Sequence, residues 1–599
     1  MGLYKFGTSI SFTILSISIL YTHVTASLFP GITVGVFLST GVLIGTALLG
    51  SKSHRFSLVW YLLPLVAVAV VYRLYVFIFP PSLVGIDPNG YALEISRVIR
   101  TGTIDAISYN FYSKAPLSIS YPAMLGIGTG TSTPNTMMLY PLIHGVLLPL
   151  VAASLVSRVA SRHTASTAVV ACGLGALTTM SVHFGYVPIA QSLGVAYWTV
   201  FLLFMTKFQE FKSKRTMFLA VVVLAGLVFT HKLPLIVVFG AFLAFTLLTL
   251  LHSLVTYGSN NRSLRRYYGL QLGMLVGLLT LVQWFYITDF GKSVFLQSLD
   301  VLLTESVEIS PPLVSRAPSH AVELDSSLMG ILERRGHGFA LLLVGGVTWL
   351  YQAYAGANRP EVRFLLAAAL PPVIILLIAV VGNPPSGTTP PGPRLIGFLE
   401  PVIVPLFSIT IGSALVERST GSPDFSNKVS KPSLSFLKSA LAATLILLLL
   451  FSQVASALAV PDYPDHPRDY LSSQEVQAKG FGNEHVGGPI HTDWFLMVSG
   501  GRNPGNGTGT ATRYVAIGDP LLNATVTTQG YGHVMFRTDV EYYLTQIGPW
   551  KLLWEPSQNL DGEYNRIYAN GGALLYDDPN TVVDRTPVNS SPAAGMVRI

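Results

Sequence analysis

Charge is scarce in this chain. Only 11% of its 599 residues are Asp, Glu, Lys or Arg, where a soluble domain carries about 25%. Half of the residues are hydrophobic and mean hydropathy is +0.53, which excludes a water-soluble globular fold and leaves a polytopic membrane protein. Cysteine is scarcer still. The single one, Cys172, lies in an apolar run, so the chain has no intrachain disulfide and no cysteine-built metal site. Two broken, Gly/Pro-interrupted helices recurring in matching halves, the mark of many transporters, are also lacking. The little charge there is falls unevenly. Residues 461–599 hold 9 Lys+Arg against 15 Asp+Glu, and the remainder holds 28 against 15. The basic excess therefore belongs to the membrane part, where it signals topology rather than nucleic-acid binding.

Apolar windows of about 20 residues, each able to cross a bilayer as a helix, number about 13. They lie near 6–24, 28–50, 56–80, 136–157, 165–183, 187–206, 216–231, 233–256, 268–288, 337–356, 363–382, 394–416 and 438–460. With the N-terminus inside, the inside connections are "SKSHR" (51–55), "SRVASRH" (157–163), "KFQEFKSKR" (207–215), "NNRSLRR" (260–266), "NRPEVR" (358–363) and 417–437 with Lys428, Lys431 and, at its edge, Lys438. All six are rich in Lys or Arg, as the positive-inside bias requires. The first apolar run, which begins after Lys5, reads as an uncleaved helix rather than a signal peptide, because no clean small-x-small site follows it.

This arrangement predicts a polytopic α-helical membrane domain over 1–460, N-terminus inside, with large external loops at 81–135 and 289–336. Residues 461–599 read as a small α+β extracytoplasmic C-terminal domain with β-prone runs "GGPIHTDWFL", "TRYVAIG", "HVMFRTDVEYYL" and "EYNRIYANGGALLYDD". "VSGGRNPGNGTGTATR" reads as a flexible loop within it. N-x-S/T triplets at Asn506, Asn523 and Asn589 agree with an external face. The domain is acidic and contains only two lysines, Lys479 and Lys551, a balance that suits high salt, as in a halophilic archaeon.

The first external loop opens with "GIDPNGYALEISRVIRTGTID". Asp87 before Pro88 is a good N-cap followed by N1. The helix it would start carries Tyr91, Ile95, Val98 and Ile99 on one side and pairs Glu94 with Arg97 at i, i+3. Such a helix would lie along the membrane surface. A catalytic carboxylate is equally compatible with this position, given what else falls at the outer rim. His183 and Gln191 flank the turn "SVHFGYVPIAQSLG"; His231 and Lys232 sit in "VFTHKLPLIV"; Lys114 lies in "FYSKAPLSISYP"; and Arg394 opens "PPGPRLIGFLEP". Lys and Arg near helix ends often only snorkel. Lys232, however, stands in a tight external turn, against the positive-inside bias. An anionic group at membrane height would account for it, because phosphate pairs well with Lys and Arg, and the lipid presenting phosphate there is a polyprenyl phosphate.

These features resemble the GT-C superfamily of integral-membrane glycosyltransferases. "GIDPNGYALEISRVIRTGTI" looks like their first external loop, with Asp87 in the acidic position. "HFGYVPIAQSLGVAYW" and "THKLPLIVVFGAFLAF" are similar to later core spans of archaeal members, and "YNRIYANGGALLY" to the end of the external domain in haloarchaeal relatives. The members most alike are haloarchaeal mannosyltransferases that use dolichyl phosphate mannose to complete the S-layer N-glycan. The resemblance implies transfer of one sugar, mannose, from a dolichyl (polyprenyl) phosphate donor to a glycan acceptor, protein-linked or lipid-linked, at the outer face of the cell membrane. It implies Asp87 as general base and Lys232, His231 and Arg394 around the phosphate. Lys114, His183, Gln191 and Glu94 are further substrate-binding candidates, and no metal or cofactor is expected. Many members carry paired acids at the loop start. Here Pro88 follows Asp87, leaving Glu94 or Asp105 as the second acid.

Three other readings compete. A transporter or lipid-linked-sugar flippase needs ionisable residues near the middle of its spans; Arg73 is the main one here, with Gln283 polar but uncharged. A surface scaffold would need one span rather than 13. An oligosaccharyltransferase usually carries a larger external domain than 461–599, and a metal site.

Overall fold

The computed structural model describes residues 2–25, 30–50, 58–159, 164–257, 267–293, 295–296, 320–323, 328–381, 392–416, 433–458, 470–500, 514–538, 540–545 and 548–579. The chain divides into two compact units, one of Met1–Pro312 with Asp325–Tyr463, the other of Leu313–Leu324 with Pro464–Ile599. Of the described residues, Ala321–Glu323 group with the second unit.

The first unit is helical. Its order is α1 (Gly2–Thr25), α2 (Pro30–Gly50), α3 (Val59–Ile78), α4 (Ile86–Thr101), α5 (Asn110–Lys114), α6 (Leu117–Thr129), α7 (Thr133–Thr136), α8 (Leu139–Val159), α9 (Thr164–Leu177), α10 (Thr179–Tyr186), α11 (Ala190–Phe211), α12 (Lys214–Val228), α13 (Lys232–Tyr257), α14 (Tyr267–Leu281), α15 (Leu328–Ala355), α16 (Pro360–Val381), α17 (Gly392–Val416) and α18 (Ser433–Leu458). Each apolar window falls on a helix, or on the bent pair α9–α10. Among the described residues nine helices are long and apolar enough to cross a membrane, ten if the bent pair is one span. The other windows fall on α11, α12 and α18; α12 is 15 residues long and α11 carries Gln191, Lys207, Gln209 and Glu210.

In hydrocarbon a helix satisfies its own backbone, and interior prolines such as Pro64, Pro149 and Pro401 are tolerated where neighbours pack against the gap. Leu343, Val347, Leu350 and Tyr354 form an outward stripe along α15, between 63% and 93% exposed. In water such a stripe is an unpaired apolar face; in lipid it is solvated. The central helices α8, α9, α11, α13, α16 and α17 pack on one another through residues such as Trp198, Phe242, Phe364 and Phe398, all buried.

Helix α4 packs through Ile95 and Val98 onto Phe77, Ile119, Ala123 and Leu193, with Tyr91 and Ile99 at the edge. This is the apolar side expected from its spacing. Gly102, at φ 71, ends the helix in the left-handed conformation that favours glycine.

The second unit has two sheets. One has the order β1-β6-β5 (Ala321–Glu323, Gly548–Leu552, Tyr542–Thr545), all antiparallel. The other is β3-β2-β4-β8-β7, made of Tyr514–Ala516, Ile490–Thr492, His533–Arg537, Ala573–Asp577 and Asn565–Ala569. There β2 runs parallel to both β3 and β4, and the rest is antiparallel. The helices are α19 (Ser473–His485), α20 (Trp494–Val498), α21 (Gly518–Leu522) and α22 (Pro556–Asp561). A fully buried pair, Arg537 with Asp493 at 2.9 Å, ties β4 to α20, whose first turn Asp493 also caps. Asn523 is exposed, while Asn506, Asn589 and most of the glycine-rich loop lie outside the described residues.

Candidate active site

The chain leaves α3 and enters α4 through Gly85, whose φ of 88 starts the helix without any side-chain cap. This corrects the sequence expectation for Asp87. It lies inside the first turn rather than at the cap, because Gly85 supplies the turn geometry one residue before Ile86. The Asp87 carboxylate is thus not spent on capping. It accepts a hydrogen bond from Arg394 Nη2 at 2.7 Å, across 307 positions of sequence. The two side chains remain 47% and 34% exposed.

Arg394 is the third residue of α17, and its own carbonyl accepts a hydrogen bond from Gln191 Nε2 at 3.0 Å. Gln191 is buried at the start of α11. It therefore steadies the backbone that carries Arg394. His183, on α10, lies within electrostatic reach of both Asp87 and Arg394, and its Nδ1 stands 3.4 Å from the Tyr186 hydroxyl.

His231 and Lys232 close the turn between α12 and α13. The resemblance implied His231 beside Lys232 and Arg394 around the phosphate. In the structure it is buried, and its Nδ1 accepts the Leu233 N–H at 3.2 Å. That nitrogen has no proton to offer, so the ring is neutral and carries its proton on Nε2. His231 is a hydrogen-bond donor beside Lys232, not a second positive charge. The Lys232 ammonium sits 4.1 Å from the centre of the Phe290 ring, a cation–π contact. Two side chains from the π-helical end of α14, Val282–Ile287, grip the same turn. Gln283 Nε2 donates to the Val228 carbonyl, and Trp284 Nε1 donates to the Lys232 carbonyl at 3.1 Å.

Tyrosines lie between the two halves of the site. Tyr112 stacks with His231 at 6.5 Å between ring centres and meets Tyr91 edge-on at 5.3 Å. Burial pushes the Tyr112 hydroxyl up to about 12, and the Asp87 charge adds to this while Arg394 opposes it. Tyr112 is therefore a neutral hydrogen-bonding group.

Two candidates fall elsewhere. Glu94 is 2% exposed. Its carboxylate accepts from Arg97 Nη1 (2.6 Å), the Ser108 hydroxyl (2.6 Å) and the Ser108 N–H (2.8 Å). It fastens α4 to the following loop and has no face left for substrate, which corrects its placement among substrate-binding residues. Asp105 is exposed and accepts from the Thr103 hydroxyl at 3.1 Å. Lys114 is exposed at the end of α5, next to the Phe111–Tyr112 pair that flanks His231. Among the described residues no three His, Cys, Asp or Glu side chains form a ligand set for a metal ion.

No family model matches the chain, and no curated protein does. Solved structures are similar to it at low identity. The oligosaccharyltransferase of Archaeoglobus fulgidus in its apo form aligns at TM-score 0.47 and 14% identity, over 81% of this chain and 70% of that one. The same enzyme in complex with zinc and sulfate aligns at 0.45 and 13%, over 86% and 73%. ArnT from Cupriavidus metallidurans bound to undecaprenyl phosphate aligns at 0.45 and 13%, over 87% and 98%.

Beyond the expected residues, the site includes Tyr91, Tyr112, Gln283, Trp284 and Phe290. Only Gln283 carried a warning in the sequence, as a lone amide in an apolar span. The spans also hold more ionisable residues than Arg73 alone: Glu400 on α17 and His144 on α8 are both buried.

Proposed function

We propose that this chain is a membrane glycosyltransferase that moves one sugar from a polyprenyl phosphate to an acceptor hydroxyl. The observation that carries this reading is the half-exposed Asp87–Arg394 ion pair, a carboxylate and a guanidinium brought together from α4 and α17. It stands with His183 and Tyr112, next to the His231–Lys232 turn. The groups suit the chemistry. Lys232, Arg394 and the Nε2–H of neutral His231 receive a lipid phosphate and stabilise the charge that grows on it as it leaves. The acceptor hydroxyl oxygen attacks the anomeric carbon, the bond from that carbon to the phosphate oxygen breaks, and its electrons leave with the polyprenyl phosphate. The hydroxyl proton passes to Asp87. Attack opposite the leaving group inverts the anomeric centre. His183 donates to the phosphate from the side of Arg394.

The resemblance to the GT-C superfamily supports mannose as the sugar and dolichyl phosphate as its carrier. It likewise supports an extracytoplasmic site, with an S-layer N-glycan as acceptor. Residues 461–599 would then hold the large glycan, which cannot enter the bilayer. A transporter or flippase has less support, because the buried ionisable groups in the spans are tied to backbone. His144 Nε2 lies 2.9 Å from the Ser192 carbonyl, and Arg73 and Glu400 bond the ends of α9 and α10.

The test is the mass of the surface glycan. Cells lacking this chain should carry N-glycans one hexose lighter, restored by the wild-type chain and not by Asp87→Asn. A glycan of unchanged mass overturns the proposal.

A further inference from the structure

The bent pair α9–α10 has an internal break that other helices close. The two helices meet at 49°, and Thr178 between them is extended at φ −55, ψ 127. A break inside a bundle frees carbonyls on one side and N–H groups on the other, and both must find partners. Arg73, fully buried on α3, donates to the Ala176 carbonyl at 2.9 Å and the Gly175 carbonyl at 3.4 Å, at the end of α9. It also reaches the Ser181 hydroxyl at 3.1 Å. On the other side, three successive N–H groups of α10 are taken by side chains of two different helices. Glu400 on α17 accepts from Met180 at 2.8 Å and Ser181 at 2.7 Å, and Gln453 on α18 accepts from Thr179 at 3.2 Å. The cation stands at a helix C-terminus and the anion at a helix N-terminus, so each also meets the favourable end of a helix dipole.

The fit continues along α10. A Cβ on Gly185 would meet Arg73 Cγ and Cδ at 3.0 Å, and one on Gly397 of α17 would meet the Phe184 ring at 2.2 Å. Arg394, Gly397 and Glu400 thus form one face of α17, with α10 laid along it. Glu400 holds the first turn of α10, Gly397 receives Phe184, and His183, one residue before Phe184, comes within electrostatic reach of Arg394 and Asp87.

We propose that Arg73 and Glu400 are positioning residues for sugar transfer. By closing the break they set the rotation and height of α10, and so place His183 beside the Asp87–Arg394 pair. This rests on the glycosyltransferase reading above. Neither residue touches substrate; both act through His183.

The test is a double-mutant cycle on the purified full-length chain in detergent. It measures dolichyl phosphate affinity and the turnover of dolichyl phosphate mannose. Glu400→Gln should lower turnover by roughly 10- to 100-fold, the loss expected when a reacting group is displaced by about 1 Å. In a His183→Ala background the same substitution should have little further effect, since its route to the site is already gone. If Glu400→Gln is not recovered folded, Gly185→Ala, which pushes α10 off the Arg73 stem, is read in the same cycle. Full, additive losses in both backgrounds, with monodisperse protein, overturn the positioning role while leaving the glycosyltransferase reading intact. A wild-type chain that neither binds dolichyl phosphate nor turns over the mannose donor overturns the reading and this inference with it.

Discussion

Replacing Asp87 by Asn separates a structural ion pair from a catalytic base, because the two roles differ in magnitude. As an ion pair, Asp87–Arg394 is a single contact at 2.7 Å between side chains 47% and 34% exposed. Water and salt screen it, and such pairs contribute about 0.2–1 kcal/mol. Asn keeps the size and can still accept from Arg394 through its amide oxygen. Loss of the pair should therefore leave the melting temperature nearly unmoved. As a general base, Asp87 supplies about 10²–10⁴-fold in rate, or roughly 3–5 kcal/mol at 1.36 kcal/mol per tenfold. The expected result is a loss of turnover several kcal/mol larger than any loss of stability, with donor affinity within a few-fold of wild type. Turnover is read as dolichyl phosphate released from dolichyl phosphate mannose by purified protein, and stability as thermal unfolding of the same sample. Turnover within threefold of wild type, or a fall matched by unfolding, would refute the assignment of Asp87 as the base.

Other substitutions probe the surrounding groups. Lys232→Gln removes the ammonium over Phe290; it should weaken dolichyl phosphate binding by about tenfold, while Lys232→Arg, which keeps charge and stacking, retains most of it. Equal affinity in both variants would exclude a phosphate contact. Glu94→Gln removes a buried charge that holds three donors. It should cost about 1.5–3 kcal/mol of stability, seen in thermal unfolding, with no change in donor affinity once folded; selective loss of affinity would restore Glu94 to the substrate. In the C-terminal unit, burial pushes Lys479 from 10.5 down to about 7, although its ammonium reaches the carbonyls of Leu496, Met497 and Ser499. Between these values the unfolded chain holds the proton more firmly than the folded one. The unit should therefore gain stability as pH rises from about 7 towards 10.5. Fluorescence of Trp550 and Trp554 during unfolding should report this gain, and Lys479→Met should flatten it. An unchanged slope in that variant would assign the pH dependence elsewhere.

Much of this architecture was legible in the sequence because lipid imposes a simple rule. A window of apolar residues must become a helix, and every expected window did. The strand runs were legible too, since "HVMFRTDVEYYL" and "EYNRIYANGGALLYDD" are short β-prone runs set between turn signals; they became β4, β5, β7 and β8. Strand β1 was not, because three residues in a long loop carry no local pattern and pair with β6 only through tertiary contact. The same divide runs through the site. Asp87, Lys232 and Arg394 stood out as charges where apolar or neutral residues were expected. Glu94 stood out equally, and nothing local could show that Ser108 and Arg97 occupy its carboxylate. Glu400 was passed over because it lies within an apolar run, where its partners are backbone N–H groups more than 200 positions away. The neutral state of His231 depends on the N–H of Leu233, which only the turn geometry reveals.

The single contact between Asp87 and Arg394 also bears on stereochemistry. Only Nη2 and Oδ2 meet, so the guanidinium keeps donors for a phosphate and the carboxylate keeps Oδ1 for a hydroxyl. Both substrates can bind without breaking the pair. A phosphate oxygen on the far edge of the fork would then stand roughly 7–8 Å from the carboxylate, two hydrogen bonds of about 2.8 Å and the fork's own width. Inverting glycosidases separate their two carboxyl groups by about 6.5–9.5 Å for a related reason: nucleophile, anomeric carbon and leaving oxygen must fit in line between them. Arg394 would therefore act as a spacer as well as a counter-charge, a task that needs its planar fork. Arg394→Lys keeps the charge but presents a point donor. It should retain donor affinity within a few-fold and lose turnover by roughly 10²-fold, the usual result of misplacing reacting groups by about 1 Å. A lysine variant with wild-type turnover would show that charge alone suffices, and the spacer argument would fail.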